Sequence, residues 1–212
     1  NGDIGLFYFL RRAMDDGRLW LRRSGDQGET WSEPTPCTTG KGYYVTNNAR
    51  VVRLDSGRLI VPAAYHRVVR DPEGRERWDP RSTSYYFYSD DDGASWREGN
   101  PCSLDNPHCP SGLQEPGVIE LAPDILDGWA RTDMGFQYEM TSINGGITWS
   151  PPRPSRFSSP NSPLSMKRDH RGQVVAIWNP IPNYIGRQEP APGFWGAGRT
   201  PLVIAKQLAD GS

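Results

Sequence analysis

The chain has 212 residues, of which 24 are basic and 25 acidic, for a formal net charge of −1. That balance leaves no excess positive charge to hold a phosphate backbone, which argues against a nucleic-acid partner. No apolar run approaches the roughly 20 residues that cross a bilayer, and 23 Gly with 20 Pro among short runs of Val, Ile, Tyr, Phe and Trp read as an all-β chain with many turns.

The opening segment NGDIGLFYFLRR reads as a strand that starts at once, which suggests that sequence precedes it. A turn-like DDG with Asp15 and Asp16 leads to a second strand, GRLWLRRS, and then to Ser24, Asp26, Gly28, Thr30 and Trp31, with TWSEP as the strand after. NNARVVRLDSGRLIVPAAYH reads as strand, SGR turn and strand, with Asn48 and Arg50 two residues apart on one strand face. TSYYFYS follows as a third strand and runs into Ser89, Asp91, Gly93, Ser95 and Trp96. Cys102 and Cys109 bracket SLDNPH, and with Cys37 they are too few for a disulfide framework. A bridge between Cys102 and Cys109 suits an oxidising compartment, buried thiols are the default, and a zinc site with His108 lacks a fourth ligand.

Three strands then follow closely: GLQEPGVIELA (residues 112–122), DGWARTD (127–133) and GFQYEMTS (135–142). Ser142, Asn144, Gly146, Thr148 and Trp149 make the next turn, and TWSPPRPS is a fourth strand. In an up-and-down antiparallel blade alternate turns lie on opposite faces. Glu115, starting one strand, and Arg131, ending the next, should therefore meet, with the turn at 142–149 on the far face. SPNSPLS, with Asn161 and Ser162, and WNP, with Trp178 and Asn179, stand at candidate inner-strand positions where turn and core roles compete with pocket lining. The Pro-rich NPIPNYIGRQEPAPGFWGAG reads as a loop whose Tyr184, Phe194 and Trp195 can wall a pocket, and GRTPLVIA sets Arg199 before a strand that opens a later blade.

The pattern S-x-[DN]-x-G-x-[ST]-W thus occurs at 24–31, 89–96 and 142–149, at the spacing of a four-stranded propeller blade with its loops. Physics accounts for it as a turn. The Asp or Asn accepts from backbone N–H groups just ahead, Gly supplies a positive φ, the hydroxyls satisfy remaining backbone groups, and Trp anchors the turn. A calcium loop is the rival reading, but it offers too few regularly spaced oxygens, and the third copy has only Asn144.

These repeats resemble the Asp boxes of the sialidase (neuraminidase) family of six-bladed β-propellers, and the resemblance runs over nearly the whole chain. The box marks the fold alone. GLQEPGVIEL followed by ARTD is similar to the sialidase segment that carries a catalytic glutamate and an arginine of the carboxylate-binding triad. That resemblance implies that Glu115 polarises a tyrosine nucleophile, and that Arg131 and Arg199 grip the substrate carboxylate, which guanidinium matches bidentately. It places Arg11 or Arg12, and Asp15 or Asp16 with Asp16 preferred as general acid, before the first box, where an ordinary hairpin turn is the competing reading. Asn48 stands where the family often has an aspartate contacting the substrate, with Arg50 beside it.

The resemblance further implies a retaining exo-glycosidase that removes terminal sialic acid or a related nonulosonic sugar from a sialoglycan or other acidic glycan. No metal or organic cofactor is implied, and a secreted or periplasmic location goes with the family. The first triad arginine and the nucleophilic tyrosine have no counterpart, so the chain reads as an incomplete propeller, three blades and the opening of a fourth, inactive by itself. A non-catalytic carbohydrate-binding propeller, or one acting on a uronate-bearing glycan, are the alternatives.

Overall fold

The computed structural model describes residues 2–181 and 199–207, and the regular elements among them are β-strands. Strands β1 (Ile4–Ala13) and β2 (Asp16–Ser24) form a hairpin to which β3 (Thr35–Pro36) adds. Strands β4 (Tyr43–Val45) and β5 (Val52–Arg53) pair with β6 (Leu59–Arg70), β6 pairs with β7 (Glu76–Ser89), and β8 (Arg97–Glu98) finishes the second blade. One parallel pairing, Gly17 with Tyr43, joins these two blades into a continuous sheet. The third blade is the meander β9 (Gln114–Ala122), β10 (Ile125–Arg131), β11 (Phe136–Ser142) and β12 (Arg153–Ser158). Strands β13 (Ser165–Arg168), β14 (Val174–Trp178) and β15 (Val203–Lys206) form the fourth sheet.

Two-residue alternation builds the core between blades. On β6, Ile60 faces the third blade and Val61 and Ala63 the first; on β7, Tyr86 and Tyr88 face one way and Phe87 the other. Blade three repeats the device, with Val118 and Leu126 packed toward blade two and Ile119 and Trp129 toward Leu164 and Met166 of blade four. Because the second and third blades are covered on both faces, apolar residues crowd their middle strands instead of lining one side.

The three boxes close on themselves as turns. Ser24 Oγ donates to Asp26 Oδ1 at 2.7 Å and accepts from Gly28 N at 2.7 Å, while Thr30 N and Oγ1 donate to the Asp26 carboxylate at 2.9 and 2.5 Å. Asp91 makes the same contacts with Ser95, and Asn144 accepts from Thr148 N at 2.9 Å while its Nδ2 donates to Thr148 Oγ1 at 2.9 Å. Each Trp indole donates to the carbonyl of the box glycine, Gly28, Gly93 or Gly146, all at positive φ.

Several local readings change. The strands after the first and third boxes begin at Thr35 and Arg153, beyond TWSEP and most of TWSPPRPS, because Trp31 and Trp149 belong to the turns. Asn48 and Arg50 do not share a strand face: the chain turns between β4 and β5, Ala49 has φ 57°, and Asn48 is exposed while Arg50 is buried. Arg199 does not open a later blade, since the strand it precedes is third in the fourth sheet, paired to β14. No Cys102–Cys109 bridge forms, and all three cysteines are buried thiols. Tyr184, Phe194, Trp195 and the terminal ADGS lie outside the described residues. No helix among the described residues is long and apolar enough to cross a membrane.

Candidate active site

Glu115 occupies an irregularity in the β9–β10 ladder, where pairing steps from Gly117–Trp129 to Gln114–Arg131. Its φ is 49°, in the left-handed region that costs a non-glycine residue on the order of 1 kcal/mol. This local twist aims its carboxylate at Arg131, whose Nη1 lies 3.0 Å from Glu115 Oε1. Arg131 is buried, and its Nη2 donates to Gln114 Oε1, while Gln114 Nε2 donates to Pro80 O at 2.9 Å. Just past β10, Asp133 accepts from Ser111 N and Oγ at 3.1 and 3.0 Å, so the lead into β9 is pinned to the end of β10. Burial holds the Arg131 guanidinium below its usual range, and the Glu115 charge offsets only part of that. Glu115 Oε2 is sealed from solvent without a hydrogen-bond partner among the described residues.

The opposite end of the blade carries the box. Gly145 N donates to Asp124 O at 2.9 Å, which sets the third box against the β9–β10 turn and a full strand length away from Glu115 and Arg131. The boxes therefore serve the scaffold on one face, and the acid–arginine pair faces the other.

A cavity of about 270 Å³ opens beside the pair, walled by Tyr43, His66, Trp78 and Gln114 among others. Tyr43 and Trp78 stack at 4.3 Å with 15° between their planes, Trp78 Nε1 donates to Met14 O at 2.8 Å, and Arg11 lies over the Trp78 ring at 5.3 Å. His66 Nδ1 is 2.8 Å from Asp79 O, so it is the donating nitrogen; burial pushes the imidazole toward its neutral form. The long β6–β7 hairpin brings Trp78 and His66 here, and the β4–β6 pairing brings Tyr43. The sequence reading passed over all three. The only trace of them there is the alternation of Ala64 and His66 on one face of β6.

A second cavity, about 590 Å³, lies between blades two and four and is lined by Asn48, Arg50, Ser165 and Asn179 among others. Arg50 stands over the Trp129 ring at 5.5 Å and feels the Glu115 charge. Arg199 donates from Nη2 to Asn161 O at 2.8 Å, and its charge reaches Arg131. Asn161 is buried, and neither side-chain atom has a hydrogen-bond partner among the described residues. The fold thus gathers Glu115, Arg131, Arg50 and Arg199 into one electrostatic neighbourhood. Trp178 does not join it: its indole packs edge-on against Phe157 at 5.0 Å in the core between blades three and four.

Of the hairpin candidates, Arg11 reaches the Trp78 wall of the cavity beside Glu115 and Arg131. Asp16 begins β2 and pairs with Arg18 Nε at 2.9 Å, both buried, while Asp15 is exposed in the turn. Neither is among the residues lining the cavity beside Glu115 and Arg131. Arg12 lies over the Trp20 ring at 4.7 Å, on the first blade. Among the described residues no His, Cys, Asp or Glu cluster has the form of a metal site.

Blades stacked around facing inner strands, self-capped box turns on one face and an acid–arginine pair on the other define a sialidase-type β-propeller. The chain belongs to the BNR repeat-like domain family, which it matches over residues 1–212. It is 29% identical over 152 residues to sialidase-4 of Mus musculus, a match covering 67% of this chain and 30% of that protein. With sialidase-4 of Homo sapiens it shares 26% over 200 residues, covering 89% and 38%. The intramolecular trans-sialidase of Ruminococcus gnavus, solved with oseltamivir carboxylate, aligns with a TM-score of 0.56 at 17% identity over 84% of this chain and 41% of that one. The chain spans 30–38% of the length of the curated relatives it matches, and the structural likeness is one of fold.

Proposed function

We propose that this chain supplies the carboxylate-binding and base-bearing part of a retaining exo-sialidase, which removes terminal sialic acid or a related nonulosonic sugar. The observation that carries this reading is the Glu115–Arg131 pair, 3.0 Å apart, held in a left-handed irregularity on the face away from the boxes. A buried guanidinium keeps its charge and meets a carboxylate with two parallel hydrogen bonds, so Arg131, with Arg199 nearby, grips the acidic group of the sugar. Glu115, once a ligand carboxylate takes over Arg131, is the base that draws the proton from a tyrosine nucleophile. Asp16 as general acid must turn away from Arg18 first, because its Oδ1 is held 2.9 Å from Arg18 Nε.

That same Asp16–Arg18 pairing favours a second reading, a propeller that binds acidic glycans without cleaving them. Calorimetric titration of the 212-residue chain with sialic acid and with glucuronic acid, beside a fluorogenic sialoside assay, separates the cases. We expect sialic acid to bind, Arg131→Met to weaken it by about tenfold or more, and the sialoside to stay intact. Equal binding of both sugars points to the uronate reading, and binding unaffected by Arg131→Met removes the site assignment altogether.

A further inference from the structure

Arg50 is 6% exposed, yet it makes no hydrogen bond and no ion pair with any described residue. Its Nε is sealed from solvent, so the terminal amino groups are what it offers to the 590 Å³ cavity it helps to line. The one carboxylate whose charge reaches it is Glu115, and the near oxygen of Glu115 is taken by Arg131. Its other support is the Trp129 face at 5.5 Å. The backbone makes room for this arrangement: a Cβ on Gly117 would lie 2.9 Å from Arg50 Nη1 and 2.2 Å from Trp129. A guanidinium largely withdrawn from water is costly unless an anion pairs with it.

A second cation stands close by. Lys167 follows Ser165, which lines the Arg50 cavity, by two residues on β13, and itself lines the neighbouring cavity of about 490 Å³ together with Asp55 and Glu120. Lys167 has no hydrogen bond or ion pair among the described residues, and its ammonium is lowered by partial burial and then by the Arg50 charge. Asn48 and Asn179 on the cavity wall add polar hydrogen-bonding groups and no negative charge.

We propose that Arg50 forms an oxyanion site, in a cavity apart from the one Arg131 lines and with Lys167 adding positive charge from the neighbouring cavity, that receives a second anionic group, such as a sulfate ester, carried by the same acidic glycan. The identity of the carrier rests on the acidic-glycan reading; the oxyanion site itself does not. The guanidinium meets an oxyanion with its planar fork, and the ammonium adds a point charge at longer range. The substrate class is then a glycan with two negative groups, its sugar carboxylate at Arg131 and its second anion at Arg50.

The test uses the full chain with sodium sulfate as probe, against sodium chloride at equal ionic strength, followed by thermal unfolding and calorimetry. We expect a saturable sulfate-dependent rise in the unfolding midpoint, weakened about tenfold in affinity by Arg50→Gln and less by Lys167→Gln. A sulfated sialoside should bind more tightly than its unsulfated parent to the native chain, and equally with it to the Arg50→Gln chain. If sulfate binds but neither sialoside does, the oxyanion site stands and the sialic-acid reading falls. No saturable sulfate effect, or one untouched by both substitutions, overturns the proposal.

Discussion

Glu115 concentrates the tension of the site in one residue. Its backbone sits at φ 49° before a proline, and its carboxylate faces a guanidinium that burial has deprived of water. A strained conformation of this kind persists only where its surroundings over-determine it, and here the Ser111–Asp133 bonds and the Gln114 bridge from Arg131 to Pro80 do so. Glu115→Gln keeps the shape and removes the charge, leaving Arg131 short of its counter-ion. We expect that change to lower the unfolding free energy by about 1–3 kcal/mol, measured by urea titration. An unchanged midpoint would mean that water already screens the pair.

At the scale of the element, the box is a turn that needs its carboxylate charged. Hydrogen bonds from Thr30 and Ser24 hold Asp26 down at about 2, and those from Ser95 and Ser89 do the same for Asp91. A carboxylate in an unfolded chain titrates near 3.9, so the folded pKa lies below the unfolded one. The stabilising contribution is therefore complete above about pH 4 and is lost as the pH falls through about 2. Asn144 performs the same turn in the third blade without titrating. It follows that Asp26→Asn with Asp91→Asn should flatten the fall of the unfolding midpoint between about pH 4 and 2, as scanning calorimetry across that range would register. A slope unchanged from the native chain would assign the acid sensitivity to other carboxylates.

For the whole molecule, stability lies in the seams between blades. The third box tryptophan, Trp149, stacks on Tyr86 of the second blade at 3.8 Å, and Asn100 reaches across to bond its backbone N–H and carbonyl. Trp149 therefore ties a turn of one blade to the middle strand of the next. Trp149→Ala should cost about 3–5 kcal/mol, while Ile143→Ala in the same turn, with Ile143 largely exposed, should cost little. Chemical denaturation of the two variants side by side checks this, and equal losses would show that the seam carries no special share of the stability.

The box turns were legible in the sequence because their contacts close within eight residues, so residue types at fixed spacing suffice to specify them. The meeting of Glu115 with Arg131 was legible for a related reason: successive antiparallel strands bring the start of one beside the end of the next, whatever surrounds them. Tertiary structure alone decided the rest. A turn at Ala49 separates Asn48 from Arg50, burying one and exposing the other, and no periodicity announces it. The Tyr43–Trp78 wall joins residues from different strands of the second blade. The family resemblance offered Asp16 as a general acid, and the fold sets it against Arg18. Contacts between strands distant in the chain depend on register and on how sheets stack, and neither is written in any single stretch of residues.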